Sequence, residues 1–295
     1  MLGAMVADRL SLNSTLSVSA TVRTQDLATH CRKRIPNVNW VLFNAGQPDS
    51  ETQLEMIHGF DWVINAIGII KPYIHDDNPG EVERAVLINS LMPQQIARQA
   101  EKTGATVIQI ATDCVFSGNK GHYVESDAHD ALDAYGKTKS LGEATNNRIH
   151  HLRCSIIGLE PKEHRSLLDW FIRQPQRASV NGYTNHRWNG VTTLQFARIC
   201  EGVITHDIKL SHLQHVVPSG DLSKCEMLQE FARSFHREDL TINPTQAGVV
   251  VDRTLSTKNA QVNDELWVAA GYEKPPTVPQ MIAELAAFDF RLGEL

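Results

Sequence analysis

Tyr135 and Lys139 stand four residues apart in "YGKTK", and on a helix that spacing projects both side chains from one face. A free phenol has a pKa of about 10 and keeps its proton at neutral pH. A neighbouring ammonium favours the phenolate and lowers that value. Such a pair can give a proton to a carbonyl oxygen or take one from an alcohol. The spacing alone is common, and its plain reading is a solvent-facing helix pair. Upstream, "QIATDCVFSG" (109–118) ends an apolar run in Thr112 and Asp113. There the Thr112 hydroxyl can bond the same oxygen that Tyr135 protonates, although a threonine in a turn is ordinary. A third stretch, "INSLMPQQIA" (88–97), carries Pro93 inside a helical pattern. Proline cannot donate to the carbonyl four residues back, so the helix is expected to kink and leave the Asn89 carbonyl free. A water held there and linked to Lys139 would complete a proton relay.

The elements that must position these groups follow from hydrophobic patterning. "LSVSATV" (16–22), "WVLF" (40–43), "DWVINAIG" (61–68), "ATVIQIAT" (105–112) and "LRCSIIG" (152–158) read as strands. Helical stretches lie between them, near 25–33, 50–59, 81–103 and 133–147. This alternation predicts parallel strands joined by crossover helices, an α/β doubly wound sheet of Rossmann type. Ligands bind at the C-terminal edge of such a sheet, which is where Thr112 ends its strand. Beyond residue 160 the pattern loosens. Helices are expected at 164–174, 192–205, 222–236, 257–269 and 277–290, with strands at "HLQHVV" (212–217) and "LTI" (240–242). The division expected is a dinucleotide-binding domain over 1–160 and a smaller substrate-binding part over 161–295, interleaved with the end of the sheet.

Composition bounds the function. The 295 residues are 42% hydrophobic and 21% charged, with a formal net charge of −6, which gives no reason to expect nucleic acid as a partner. The cluster "CRKR" (31–34) reads as a solvated helix end. The five cysteines are widely spaced, without a C-x-x-C, so a disulfide framework or zinc site is not expected and a reducing cytoplasm is. No apolar run approaches the roughly 20 residues of a membrane span. His150-His151 lack a third ligand at metal spacing, so no metal is expected.

Cofactor and substrate contacts are read more faintly. Arg23 ends the strand "SATVR", where an arginine accommodates the 2′-phosphate of NADP and an acid would bind NAD. NADP is expected, with NAD as the other candidate. "NAIG" (65–68) offers Asn65, Ala66 and Gly68 for close approach by the cofactor, and Ser155 is expected to flank the nicotinamide. "NGYTNHRWNGVTT" (181–193) reads as a loop whose Arg187, Trp188 and Asn189 suit stacking on a base or sugar and pairing with a diphosphate.

The block "ATDCVFSGNKGHYVESDAHDALDAYGKTKSLGE" (111–143) resembles the dTDP-4-dehydrorhamnose reductases of the extended short-chain dehydrogenase/reductase superfamily. It matches their pattern at Thr112-Asp113, Val115-Phe116, Gly118, Gly121, Tyr123, Glu125, Tyr135-Gly136, Lys139 and Gly142-Glu143, and departs from it at Ala111 and Cys114. The resemblance implies Thr112, Tyr135 and Lys139 as catalytic residues, with Asp113 and Cys114 beside the sugar. It implies reduction of a nucleotide-linked 4-keto-6-deoxy sugar by NAD(P)H, in surface polysaccharide biosynthesis; a homodimer is compatible with it. An epimerase or dehydratase of the superfamily is the alternative enzyme, although dehydratases usually carry an acid where Cys114 stands. A noncatalytic nucleotide-sugar-binding subunit is the alternative of another class. Family members open with a strand and then G-x-x-G-M-L-G. "MLGAMVADRL" (1–10) resembles the tail of that motif, with Gly3 as its third glycine. The expectation is therefore that roughly ten to twelve residues of the usual strand and glycine loop are missing ahead of it.

Overall fold

The computed structural model describes residues 1–47, 50–162 and 164–293. In chain order its elements are α1 (Leu2–Leu10), β1 (Ser19–Val22), α2 (Gln25–Arg34), β2 (Asn39–Leu42), α3 (Ser50–Gln53), β3 (Trp62–Asn65), α4 (Pro79–Ala85), α5 (Met92–Thr103), β4 (Thr106–Thr112), α6 (Ala134–Leu141), β5 (Ile149–Cys154) and β6 (Ile156–Ile157). There follow α7 (Leu167–Ile172), β7 (Ser179–Tyr183), β8 (His186–Trp188), β9 (Val191–Thr192), α8 (Thr193–Thr205), β10 (Leu213–His215), β11 (Leu222–Ser223), α9 (Lys224–Ser234), β12 (Thr241–Thr245), β13 (Val251–Asp252), α10 (Ala260–Ala269) and α11 (Val278–Ala287).

The strands β10-β5-β4-β3 form one parallel sheet in that order, and β1 pairs with β2, also parallel, in a second. β1 and β3 are not hydrogen-bonded to one another. Successive residues of β4 explain why the sheet is covered on both sides. Val107 packs with Met92, Ile96, Ala97 and Ala100 of α5, whereas Ile108 joins Met5, Val6 and the α8 residues Phe196 and Ile199. Both are fully buried, as period-two alternation in a doubly covered sheet requires. The fold is thus α/β with a parallel central sheet, as the strand–helix alternation predicts.

One expectation is corrected. The segment 181–193 is not a loop: it supplies the end of β7, then β8 and β9. β8 is the middle strand of a three-stranded sheet, between β11 and β13. Its short run His-Arg-Trp carries too little apolar periodicity to announce a strand. The stretch 81–103 is helical throughout, as expected; a π-helical turn, Val86–Leu91, lies within it between α4 and α5, just before Pro93, and such a bulge is a known way for a helix to accommodate a proline. The basic cluster at 32–34 forms the last turn of α2, where cations complement the helix dipole. Among the described residues no helix is long and apolar enough to cross a membrane.

Candidate active site

β4 ends in Thr112, whose hydroxyl accepts the Cys114 amide at 3.2 Å and lies 3.3 Å from the Asp113 carboxylate. That bond caps the short 3-10 turn Asp113–Val115. α6 begins at Asp133, which accepts the Gly136 amide at 2.8 Å and pairs with Lys71 at 2.8 Å. Gly136 lets this helix close on the turn, because a Cβ there would lie 2.4 Å from Ala131 Cβ and 2.6 Å from the Cys114 carbonyl oxygen. The Tyr135 phenol consequently reaches the Thr112 side chain and faces Cys114.

The electrostatics differ from expectation. Burial pushes the Tyr135 phenol upward, Cys114 adds to this, and the Thr112 hydroxyl offsets a part. Lys139, one turn along α6, donates from Nζ to the Ile110 carbonyl at 3.1 Å. Burial lowers its pKa to about 8, against the pull of Glu143. The expected depression of the phenol by Lys139 is therefore not met: desolvation outweighs it, and a strand carbonyl engages the ammonium. The phenol holds its proton, which is the state a proton donor needs.

Asn89 stands on the π-helical turn, and its carbonyl faces Gly142 at the end of α6, where an added Cβ would lie 1.9 Å from that oxygen. Its buried side chain clamps the loop after β3, accepting the Ile69 amide at 2.8 Å and donating to the Ile69 carbonyl at 2.9 Å. Asn65 is likewise committed, donating to Gln109 at 2.7 Å and accepting the Ile67 amide at 3.1 Å. Gly68 is exposed beside Asn89, where a Cβ would lie 3.4 Å from Oδ1. Gly3 in the first turn of α1 adjoins Ala66 at the end of β3, with 3.7 Å between an added Cβ and the alanine's. Arg23 is exposed just beyond β1.

On the other side of the site, Ser155 Oγ accepts the Trp188 indole N–H at 2.8 Å. Asn189 is buried and bonds both the amide and the carbonyl of Leu255, at 2.9 and 2.7 Å. Arg187 is exposed and pairs with Asp221 and, at 3.5 Å, with Glu226. Thr112, Asp113, Cys114, Tyr135 and Lys139 thus gather around one strand end, with Ser155 and Trp188 bonded to each other at the next. Asn89 stands behind α6, and Arg187 and Asn189 are held by protein partners. His150 and His151 lie on β5 and meet the carbonyls of Ser211 and Ala144.

The sequence reading passes over two cations here. Lys224 and Arg253 both act on the buried Asp113, whose carboxyl burial pushes up while they pull it down. Lys224 Nζ stands 5.6 Å from the centre of the Trp188 ring, and burial lowers its pKa to about 8. The S-x-x-E pattern Ser223–Glu226 marks Lys224 as the first residue of a capped helix, but nothing in it signals a partner so remote in sequence.

Comparison with known proteins places this geometry. The family described as RmlD substrate binding domain matches residues 49–288. The dTDP-4-dehydrorhamnose reductase of Salmonella typhimurium is 42% identical over 152 residues, 49% of this chain and 51% of that one. Methionine adenosyltransferase 2 subunit beta of Rattus norvegicus is 32% identical over 97 residues, 32% of this chain and 28% of that one. The chain thus matches about half the length of the first of these curated relatives, and less of the second. The crystal structure of dTDP-4-dehydrorhamnose reductase from Bacillus anthracis in complex with NADP superposes with a TM-score of 0.68 at 14% identity. It covers 92% of this chain and 99% of that one, a likeness of fold. With the family pattern running through β3, the Thr112–Tyr135–Lys139 group and the C-terminal helices, the chain belongs to the RmlD substrate binding domain family.

Proposed function

We propose that this protein uses NAD(P)H to reduce a nucleotide-linked 4-keto-6-deoxy sugar, as the name of the Salmonella typhimurium relative describes, in making deoxysugars for surface polysaccharide. The observation that carries this reading is the meeting of Tyr135 with Thr112 at the end of β4, with Lys139 one turn further along α6. Tyr135 gives its proton to the carbonyl oxygen, Thr112 orients that oxygen, and Lys139 sets a buried positive charge beside the phenolate that forms. Bound nicotinamide coenzyme supplies the hydride. The residues at hand fit such a group. Arg23 makes no hydrogen bond or ion pair among the described residues, the first-turn amides of α1 have no side-chain cap, and Lys139 keeps two N–H groups beyond its bond to Ile110. Arg23 favours NADP over NAD, the ligand of the Bacillus anthracis relative. On this reading residues 1–160 hold the coenzyme and 161–295 the sugar nucleotide.

The setting is the cytoplasm, where the five free cysteines stay reduced. The protein acts as a homodimer. Supporting this, Val86, Leu87, Leu91, Leu132 and Leu141 are 41–82% exposed, and several of them border a groove of about 390 Å³ on the outer side of α6.

The test is to mix the chain with NADPH and a dTDP-linked 4-keto-6-deoxy sugar. Loss of NADPH absorbance matched by reduced sugar is expected. Isomerised sugar without net consumption would mark an epimerase, and no turnover would overturn the reading. The similarity to methionine adenosyltransferase 2 subunit beta supports a second reading, a noncatalytic binding subunit. Full biological activity of a Tyr135→Phe variant would favour it.

A further inference from the structure

Glu143 follows Lys139 by four residues, just past the end of α6, and Gly142 between them keeps a right-handed helical conformation. That spacing leaves both side chains on one face of the helix. Only half of the Glu143 carboxylate is spent. Oε1 accepts from Nη2 of the fully buried Arg153 at 2.5 Å. Oε2 stands 3.8 Å from His129 Nε2 and takes no hydrogen bond among the described residues. His129 is itself neutral, because Nε2 accepts from Arg153 at 2.9 Å and Nδ1 donates to Ser140 Oγ at 2.6 Å. Lys139, for its part, bonds the uncharged Ile110 carbonyl and has no ion pair among the described residues. A buried ammonium without a counter-charge is costly, and its surroundings leave one candidate. On α6 the Tyr135 phenol keeps its proton, Asp133 is paired with Lys71, and Lys137 is exposed. The π-helical turn packed on α6 carries no titratable side chain. Asp113 and Cys114 of the 3-10 turn act on Tyr135. On α4, Glu81 pairs with His75, and Glu83 and Arg84 are exposed. β5 brings His151, which burial keeps neutral against the Ala144 carbonyl, and Arg153, which is spent on Glu143. The pull of Glu143 on Lys139 runs against that of burial.

We propose that Glu143 is the counter-charge that keeps Lys139 protonated, and that Arg153 holds its carboxylate back from a direct ion pair with the ammonium. A direct pair would draw Nζ along the helix and away from Tyr135. Tied to β5, the carboxylate instead acts through space and leaves the Lys139 N–H groups to the site. The proposal rests on the reductase reading and adds a positioning residue, one that acts through Lys139 without touching substrate or coenzyme.

Wild type, Glu143→Gln, and Glu143→Gln combined with Arg153→Met are compared in kcat/KM for NADPH-dependent reduction of a dTDP-linked 4-keto-6-deoxy sugar. The profile is taken from about pH 6 to about pH 10, after thermal melts confirm folding. The double variant leaves neither charge buried alone, so it guards against loss of fold in the single one. Wild type should show an alkaline limb near the Lys139 value of about 8. In both variants that limb should move down by about half a pH unit or more, because the ammonium has lost its counter-charge. A limb that stays in place or moves up overturns the proposal. So does a loss that is uniform across pH, or loss of fold in both variants, since a merely structural pair would give either. A wild type without turnover at any pH overturns the reductase reading together with this proposal, which tells the two failures apart.

Discussion

The Tyr135 phenol and the Lys139 ammonium shift in opposite senses for one reason: burial disfavours the charged form of each. The proton donor is thus kept loaded, while the lysine is brought into the working range of pH. Lys139 is charged below about 8 and neutral above it, so kcat/KM for reduction should be flat up to that value and fall beyond it. A Lys139→Met variant should lose most activity and with it that alkaline limb, read from a pH–rate profile. Tyr135→Phe should lower kcat by roughly 10²–10⁴-fold while leaving NADPH affinity unchanged in a fluorescence titration. Lys139 could be singled out from Y-x-x-x-K, because i,i+4 spacing survives any packing. Its bond to Ile110 could not, since it depends on where β4 passes beneath the helix.

At the scale of elements, the contact between α6 and the π-helical turn is the tightest joint near the site. Gly142 abuts the Asn89 carbonyl so closely that Gly142→Ala must move one backbone or the other. That substitution should cost about 1–3 kcal/mol in a urea melt and disturb Ile69, which Asn89 grips through both backbone groups. β4 and β5 were legible because a strand buried on both faces is written as an apolar run, and β1, which is only partly buried, because its apolar and polar residues alternate. β8, β9, β11 and β13 were not, since two or three residues cannot show a period. The π turn was hidden because "VLINSLMP" satisfies a helical pattern and its proline reads as a kink. Lys224 and Arg253 were out of reach for another reason: each lies more than a hundred residues from Asp113, and only the folded chain brings them together.

At the scale of the whole molecule, acid should be the weak point. Arg153 is fully buried on β5 and bonds Glu143, His129 at 2.9 Å and His215 at 3.0 Å, a network in which both histidines serve as neutral acceptors. Burial lowers His129, His150 and His215 and takes His151 from 6.5 to about 4. Between those values the unfolded chain binds a proton at His151 that the folded chain refuses, so stability present above pH 6.5 is lost as pH falls toward 4. The contribution of His151 is about 3 kcal/mol, and His151→Gln should flatten the fall seen in urea melts between neutral and acid pH. For the proposed dimer, Leu132→Glu combined with Leu141→Lys should leave a monomer by light scattering, with the fold intact because both side chains are largely exposed.

The separation of β1–β2 from the four-stranded sheet has a consequence for how the molecule breathes. Backbone amides of β4, hydrogen-bonded on both sides, should exchange with deuterium only through global opening. Those of β1 and β2 lean on a small patch around Ala28, Cys31, Ile35 and Trp40 and on the clasp of Arg291 to Asp8. They should exchange orders of magnitude faster, and Arg291→Ala should quicken them further while leaving β4 untouched. The flank bearing Arg23 would then be the first part of the protein to come loose, and a coenzyme resting on it would slow that exchange more than any other.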